Sequence, residues 1–574
     1  MKKNYINTTA VLITTALLVI LSVSTAFAGA ALKAAPVNPA FESWQKKAAG
    51  MTAAQRSAAA AYGYRPSPVN WHHLDSLEYG IYGKVSQASV KKAKASLPAS
   101  YDLRSKMPAI RNQNPFGNCW TYSAMAATES NLIIKGLAKS ADIDLSEWHL
   151  TCHAYNPTSA EPAFTKDPES KYYNQGGNDW VAVALLARGT GSVAEAAAPQ
   201  PATEDKAYIS EEIKRSHKLI NALYLGSGTM REVPLNKDEE RRTLIKEAIM
   251  AKGAVSVGIF WDNKGYDETN FAYNSSNILY EKKDGNEITP NHAVTIVGWD
   301  DNFGKEKFTT VQPSQNGAWI VRNSWGADAE NDGGYFYLSY EESTLCDGVV
   351  YDTEEAPASE RIYQYDPLGN TAFLAWDKNG LSEKKMAQES YTVFFANIFT
   401  AKGNDLLNSV AFYTSMPDQS CTVKIYTGCS ASPVDGSLVA EKKITVSAPG
   451  YNTLQLDSPV RLAKGEKFSV VVETASSIPY LLPCEYRLAE YSEEATANEG
   501  EGWVSSDGLS FTDIKTAGTA RGIQNVSLCL KAFAEPGDET EAAGSSSGGS
   551  CNSGAAPLVF AALLPFFISR REKG

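Results

Sequence analysis

The sequence predicts an α+β domain followed by an antiparallel β-sandwich domain. Its 574 residues exceed the length that one hydrophobic core usually serves, so we expect at least two folded units. Between residues 97 and 354 a helical stretch comes first and strand-like runs follow, which is typical of an α+β domain. Between residues 355 and 534 short alternating runs recur between turn residues, which is typical of a sandwich.

The N-terminal residues predict an exported protein with a pro-segment. Residues 1–28 combine a basic start, an apolar run and small residues around one cleavage position, as secretory signals do. An uncleaved membrane anchor is the alternative. Residues 29–96 are rich in Ala and Lys, with helix formers at about 41–62, and are expected to be the pro-segment.

Within the α+β domain, a helix is predicted at residues 119–135. Asn118 is a residue type favoured at helix N-caps, and Gly136 is a type favoured just beyond helix C-termini. Strands are predicted at residues 293–298, 318–322 and 335–340. The acidic run at residues 238–240, followed by Arg241 and Arg242, is expected to be the solvated start of another helix.

The sandwich is predicted from five alternating runs. They lie at residues 391–399, 409–413, 422–426, 467–472 and 526–532. Trp376 and Trp503 in this region could stack on sugars, but core packing is the simpler expectation.

Two segments of different character follow. Residues 535–554 are rich in Glu, Gly and Ser and are expected to be a flexible linker. Residues 555–574 join an apolar run, shorter than the ~20 residues that a spanning helix prefers, to a basic tail. This layout resembles the C-terminal sorting signals of bacterial surface proteins, and a permanent tail anchor is the alternative.

The net charge limits the kinds of partner that the protein can bind, and the cysteine content indicates the redox compartment in which it folds. A net charge of −12 argues against a nucleic-acid partner, because binding phosphate needs excess Lys and Arg. The eight cysteines fit an exported protein without being dense, and Cys421 and Cys429 are close enough in sequence to pair. His149, Cys152 and His153 share a helical stretch and could bind zinc, although packing is the expected role.

Three residue types in order indicate thiol chemistry. Cys119 lies at the predicted helix start, where the helix dipole favours a thiolate. His292 opens a predicted strand and is the candidate base. Asn323 follows another strand, and its side-chain oxygen can accept from an imidazole N–H and fix the tautomer of His292.

The segments around these residues resemble the three catalytic blocks of papain-like cysteine proteases. They are QNPFGNCW at 113–120, NHAVTIVGWDD at 291–301 and WIVRNSWG at 319–326. The resemblance implies a two-lobed domain with a helical left lobe and a β-rich right lobe. It implies that Cys119 is the nucleophile, His292 the base and acid, Asn323 the residue that orients His292, and Gln113 an oxyanion donor.

The same resemblance implies the substrate-binding residues. These are Gly176, Gly177 and Trp325, and the Trp325 ring is also expected to shield the Asn–His contact from water. Phe116 and Gln175 stand where the family usually has a disulfide-bonded cysteine pair, so that bond is not expected. Residues 362–369, 505–508 and 529–534 resemble the lectin-like domain that follows bacterial papain-like domains.

We therefore expect a secreted or cell-surface cysteine peptidase, acting as an endopeptidase and made as a zymogen. Its substrates would be proteins or peptides, cleaved through a thioester without metal or organic cofactor. The C-terminal domain could hold surface carbohydrate, the chain is expected to be monomeric, and membrane association is expected only through the C-terminal segment before processing. A Cys–His acyltransferase and a glycan-binding adhesin with a vestigial peptidase domain are the alternatives.

Overall fold

The computed structural model describes residues 32–52, 62–77, 97–156, 161–166, 171–203, 213–226, 234–236, 238–275, 289–327, 332–378, 380–381 and 390–537. Residues up to Gly537 belong to one unit, and a second unit, Asp538–Gly574, lies outside the described residues. The expected signal peptide and C-terminal sorting segment also lie outside them. Among the described helices, none is both long and apolar enough to cross a membrane.

The described residues contain six α-helices. They are α1 (Pro39–Ala49), α2 (Cys119–Ile134), α3 (Glu147–Tyr155), α4 (Asp179–Ala187), α5 (Glu239–Lys252) and α6 (Ile514–Thr519). Residues 119–132 of α2 are all buried, so this helix lies inside the domain rather than on its surface. It ends where predicted, and Gly136 adopts a φ of 72°.

Asn118 is the N-cap residue of α2, as predicted, but its side chain makes no capping hydrogen bond. Its amide donates instead to Thr151 Oγ1 at 3.0 Å and to Gln200 Oε1 at 3.1 Å. The start of α5 is solvated at Glu239 and Glu240, as predicted, whereas Arg241 is buried and donates to the carbonyls of Leu74 and Leu77 in the N-terminal segment. Tertiary partners therefore engage the side chains of Asn118 and Arg241.

The strands of the described residues are numbered in chain order. They are β1 (Leu32–Ala34), β2 (Ser100–Asp102), β3 (His217–Tyr224), β4 (Val255–Ile259), β5 (Tyr266–Asp267), β6 (Ala272–Tyr273), β7 (His292–Asp300), β8 (Ala318–Arg322), β9 (Tyr335–Ser339), β10 (Cys346–Glu355), β11 (Arg361–Tyr363), β12 (Ala372–Trp376), β13 (Tyr391–Thr400), β14 (Asp405–Thr414), β15 (Gln419–Thr427), β16 (Ser437–Val446), β17 (Gly450–Leu462), β18 (Lys467–Ser476), β19 (Leu482–Glu485), β20 (Gly502–Ser505), β21 (Thr512–Asp513), β22 (Ser527–Leu528) and β23 (Leu530–Pro536).

One long sheet runs through both halves of the chain. Its order is β11-β23-β14-β17-β3-β10-β4-β7-β8-β9-β6-β5, with β2 added beside β7. The two halves meet where β17 pairs antiparallel with β3, Tyr451 lying opposite Ala222. A six-stranded sheet, β16-β15-β18-β13-β20-β21, completes the C-terminal sandwich. The two predicted domains therefore share backbone hydrogen bonds.

The first described part of the N-terminal segment, the expected pro-segment, packs against the C-terminal half of the chain. Strand β1 pairs antiparallel with β12, in the four-stranded sheet β1-β12-β19-β22. The buried Phe41 of α1 packs edge-to-face on Tyr491, with ring centroids 5.8 Å apart. The N-terminal segment is thus held by the sandwich as well as by the α+β domain.

The seven cysteines of the described residues carry free thiols, so the local Cys421–Cys429 bond does not form. Phe116, at one position of the absent disulfide, packs instead with Trp148 and Tyr173 at ring-centroid distances of 4.7 and 5.2 Å. Cys152 belongs to the same buried cluster, which is the packing role expected for it.

Candidate active site

The Cys119 thiol lies where the first residue of α2 meets strand β7. Its Sγ accepts a hydrogen bond from the backbone N–H of Ala293 at 3.1 Å. One turn along α2, Ser123 Oγ donates to the Val294 carbonyl at 2.6 Å and so fixes the helix against the strand. Two hydrogen bonds, one at the thiol and one a turn further along the helix, therefore hold the start of α2 against the strand that begins with His292.

His292 and Asn323 come together because β7 pairs with β8. Asn323 directly follows β8, and its Oδ1 lies 2.9 Å from His292 Nε2. The backbone N–H of Ser324 donates to the same oxygen at 2.9 Å, which fixes the orientation of the amide. Because Oδ1 can only accept, Nε2 carries the proton, and Nδ1 is left without one in the neutral ring.

Aromatic rings cover this pair. The Trp325 ring stacks on the His292 imidazole, with centroids 4.8 Å apart and planes 19° apart. Trp261 packs edge-on against Trp325 at 5.0 Å. Water is thereby kept from the His292–Asn323 hydrogen bond. Trp261 was not singled out from the sequence, since its segment carries no feature beyond two aromatic residues, Phe260 and Trp261, after β4.

Gln113 lies beside the nucleophile with its amide orientation fixed. Ser324 Oγ donates to Gln113 Oε1 at 2.6 Å, so the amide nitrogen must face the other way. That nitrogen, Nε2, donates to the Tyr62 carbonyl at 3.2 Å and to the Phe116 carbonyl at 2.9 Å. A donor is therefore directed at a carbonyl oxygen of the chain segment that occupies the cleft.

Gly176 and Gly177 hold that segment by its backbone. The N–H of Gly177 donates to the Gly63 carbonyl at 3.0 Å, and the N–H of Arg65 donates to the Gly177 carbonyl at 2.8 Å. A side chain on Gly177 would clash with the Trp120 ring, because an added Cβ would lie 2.5 Å from it. Gly176 adopts a φ of 68°, which glycine tolerates best.

The N-terminal segment fits closely over the residues that precede Cys119. Gly63 has a φ of 91°, and a Cβ added there would lie 2.3 Å from the Gly117 carbonyl carbon. Only glycine allows the backbone to approach this closely. The sequence predicted a pro-segment at residues 29–96 but gave no sign of which residues would enter the cleft.

Burial sets the protonation states of the pair in this form. Cys119 and His292 are both fully buried. Burial raises the pKa of the Cys119 thiol, and the backbone N–H of Ala293 opposes the shift. Burial lowers the pKa of His292 to about 4, opposed by the Asn323 hydrogen bond. Both shifts favour the neutral forms of Cys119 and His292 in this structure.

Comparisons with known proteins identify two parts of the chain. The family model "Papain family cysteine protease" matches residues 97–353, and the model "Lectin like domain" matches residues 362–534. Cysteine proteinase 2 of Entamoeba histolytica is 26% identical over 265 residues, covering 46% of this chain and 70% of that protein. Cathepsin S of Mus musculus is 27% identical over 261 residues, covering 45% of this chain and 63% of that protein.

Solved structures show the same fold over most of the chain. The cysteine protease and lectin-like domains of Cwp84, a surface layer associated protein of Clostridium difficile, align with a TM-score of 0.64 at 22% identity. The alignment covers 89% of this chain and 100% of that one. Cwp84 after propeptide cleavage gives a TM-score of 0.59 at 23% identity and covers 76% of this chain and 99% of that one. The chain therefore carries a papain-family cysteine protease domain at residues 97–353, followed by a lectin-like domain at residues 362–534.

Proposed function

We propose that this chain is a peptidase made as a zymogen, in which Cys119 is the nucleophile and His292 the general base and acid. Asn323 orients His292, and Gln113 stabilises the oxyanion. The observation that carries the proposal is the meeting of these four side chains, from separate parts of the chain, around the Tyr62–Gly63 backbone. A peptide already lies in the cleft in contact with the oxyanion donor.

The reaction follows from the atoms at the site. Once the pro-segment has left, His292 Nδ1 takes the Cys119 proton, and the thiolate forms a bond to the scissile carbonyl carbon. Gln113 Nε2 and the Cys119 backbone N–H stabilise the oxyanion, and one such donor is worth about 2.7–4 kcal/mol. His292 then gives its proton to the leaving nitrogen, the C–N bond breaks and a thioester forms. Water, deprotonated by His292, breaks the C–S bond and releases the acid.

The zymogen assignment rests on what occupies the cleft. Residues 62–65 hold the backbone positions at Gly177 and the donor at Gln113 that a substrate would need. A substrate cannot bind until this segment leaves. Both groups are buried in this form, which raises the pKa of Cys119 and lowers that of His292, while the Tyr62 backbone opposes the shift of His292.

We extend the proposal to location and partners. The predicted signal at residues 1–28 supports export. Cwp84, which shares the two-domain fold, is described as a surface layer associated protein, and this supports a cell-surface or extracellular site for the present chain. The lectin-like domain makes surface carbohydrate the candidate partner, and proteins or peptides are the candidate substrates.

The test is Cys119→Ala in the full chain, with Cys429→Ala, which removes a buried thiol of the lectin-like domain, as the control. Cys119→Ala should lose all hydrolysis of a peptide library and, if maturation is self-catalysed, should retain its pro-segment on a mass spectrum. Cys429→Ala should hydrolyse the library as the wild type does. Wild-type turnover by purified Cys119→Ala would refute the assignment, whereas a glycan-binding adhesin would show no turnover in any variant.

A further inference from the structure

A pocket beside the cleft receives the side chain of Tyr64, the residue after Gly63. Tyr64 is 5% exposed, and its backbone N–H donates to the Asn291 carbonyl at 3.2 Å. The pocket has room for the ring because Gly258 of β4 has no side chain. A Cβ added at Gly258 would lie 2.9 Å from Tyr64 Cζ and 3.0 Å from its hydroxyl oxygen.

The deep end of the pocket carries a carboxylate. Tyr64 donates its hydroxyl hydrogen to Asp347 Oδ2. Asp347 lies in β10 with a φ of 50°, which is uncommon for a residue with a side chain and is strained. A strained backbone that presents a carboxylate to the pocket occupant is the kind of feature that functional sites maintain.

A second carboxylate stands behind the first. Asp179, at the start of α4, is 4% exposed and accepts a hydrogen bond from the Tyr351 hydroxyl at 2.6 Å. Its charge raises the pKa values of both Tyr64 and Asp347 and so reaches the pocket. Burial is the largest cause of the shift in Asp347, whose pKa is raised to about 7, and Asp75 of the pro-segment adds to it.

No cation balances these two groups in the described part of the chain. The ion pairs formed there include none to Asp179 or Asp347. By contrast, Asp352, five residues along β10, is bound by both Lys135 and Lys252. Two carboxylates in a low-dielectric site favour the arrival of a positive charge, because each alone is costly to ionise there.

We propose that the pocket vacated by Tyr64 binds a Lys or Arg side chain of the substrate, with Asp347 as the residue that determines this specificity. The inference rests on the peptidase function proposed above. An extended Lys side chain reaches about as far from its Cα as a Tyr hydroxyl does, so its ammonium would lie where the Tyr64 hydroxyl now lies. Its aliphatic stem would replace the ring beside Gly258.

The position of the pocket along the cleft determines which substrate residue it recognises. Gly63 lies over Gly117, next to the nucleophile, and Tyr64 is the next residue along. The two backbone hydrogen bonds to Gly177 flank Tyr64 on either side. Tyr64 itself therefore lies opposite Gly177, and the substrate residue that enters the pocket is the one at this same place along the cleft, close to the scissile bond.

The first experiment uses mature enzyme obtained from the full chain. Fluorogenic peptides that differ only at this one position would carry Lys, Arg, Leu or Glu there. We expect kcat/KM for Lys and Arg to exceed that for Leu by about thirtyfold or more, the low end for one partner of a buried charge pair. Glu should be the poorest, because it adds a third carboxylate. A wild type that prefers Leu overturns the proposal while leaving the peptidase assignment intact.

The second experiment removes the charge. Asp347→Asn should lower the Lys-to-Leu ratio of kcat/KM to near one, whereas Glu355→Gln, which removes an exposed carboxylate from the same strand, should keep the wild-type ratio. An unchanged ratio in Asp347→Asn overturns the proposal. If Asp347→Asn does not fold, the wild-type peptide series still decides. Loss of Cys119-dependent cleavage of every peptide would instead refute the peptidase function, and the proposal with it.

Discussion

At the scale of single residues, the covered Cys119–His292 pair differs from the pair expected in an active thiol protease. The helix start favours a thiolate, as the sequence suggested, but burial of Cys119 outweighs that effect in this form. Departure of residues 62–65 from the cleft is expected to return water to both groups. We therefore expect a Cys119–His292 ion pair only in a mature enzyme.

This difference predicts how Cys119 reacts with iodoacetamide at pH 5. With the pro-segment in place the thiol pKa is raised, and His292, whose pKa is about 4, is mostly neutral, so labelling should be very slow. In the mature enzyme Cys119 should label far faster than any other thiol, because an adjacent imidazolium favours the thiolate. Peptide mass spectrometry would measure both rates.

The His292→Ala variant provides the control for that measurement. In the mature form it should lose most of the acid-pH reactivity and keep only the smaller helix-end contribution. Equal labelling rates in the mature wild type and in His292→Ala would contradict the ion-pair mechanism.

Gly63 provides a second prediction at this scale. In Gly63→Ala the added methyl group would collide with the Gly117 carbonyl, and the φ of 91° would be strained. We expect the variant pro-segment to leave the cleft sooner, so that Cys119 becomes reactive before processing. Gly50→Ala, where an added Cβ meets only ordinary contacts, is the matched control. Identical Cys119 reactivity in Gly63→Ala and the wild-type pro-form would show that this contact does not hold the segment.

At the scale of elements, the pro-segment is anchored by an aromatic slot between the two domains. Trp71 is 1% exposed and stacks on Trp180 and Tyr224, each at 5.3 Å. Phe373 of β12, in the lectin-like domain, closes the slot edge-on, also at 5.3 Å. His73 adds a hydrogen bond to the Ser415 carbonyl at 2.7 Å. Both domains therefore hold the same short segment.

Removing the Trp71 ring should loosen that anchor. Truncation of a buried Trp to Ala typically costs about 3–5 kcal/mol. We expect Trp71→Ala to speed maturation and to raise the fraction of pro-form that labels at Cys119. His72→Ala, at a half-buried neighbour, should mature at the wild-type rate. If Trp71→Ala and His72→Ala mature at the same rate, the aromatic slot does not control release of the pro-segment.

The elements also show what sequence patterns can predict. The run at residues 318–322 is a strand with those bounds, because β-branched and aromatic residues fill a fully buried position in the sheet. Cys119, His292 and Asn323 lie together as their motifs implied. The Tyr64 pocket could not be predicted, since Gly258, Asp347 and Asp179 come from three distant segments with no common motif. Pairing across folded segments, rather than local pattern, creates that site.

At the scale of the whole molecule, the shared sheet changes the expectation for truncated chains. Composition alone suggested that the sandwich is separate, but β17 pairs with β3, and Phe373 packs on the interdomain slot. Residues 97–354 expressed alone would leave one edge of β3 unpaired and the Tyr224 face uncovered. We expect this fragment to be less stable and more prone to aggregate than the two-domain form.

Thermal unfolding and gel filtration would test this expectation. The fragment 97–354 should melt several degrees below the two-domain chain 97–537 and should elute partly as aggregate. A monomeric fragment with the same melting temperature would show that the interdomain strand pair adds no stability.

The β17–β3 pairing also fixes the distance between the lectin-like domain and the cleft of the protease domain. Backbone hydrogen bonds join the two domains within a single sheet, so the lectin-like domain cannot swing freely relative to the cleft. Cys119 would therefore lie at a constant distance from any molecule that the lectin-like domain binds. On a crowded surface, the enzyme would then cut only those susceptible bonds that lie at one fixed distance from the site to which its lectin-like domain is bound.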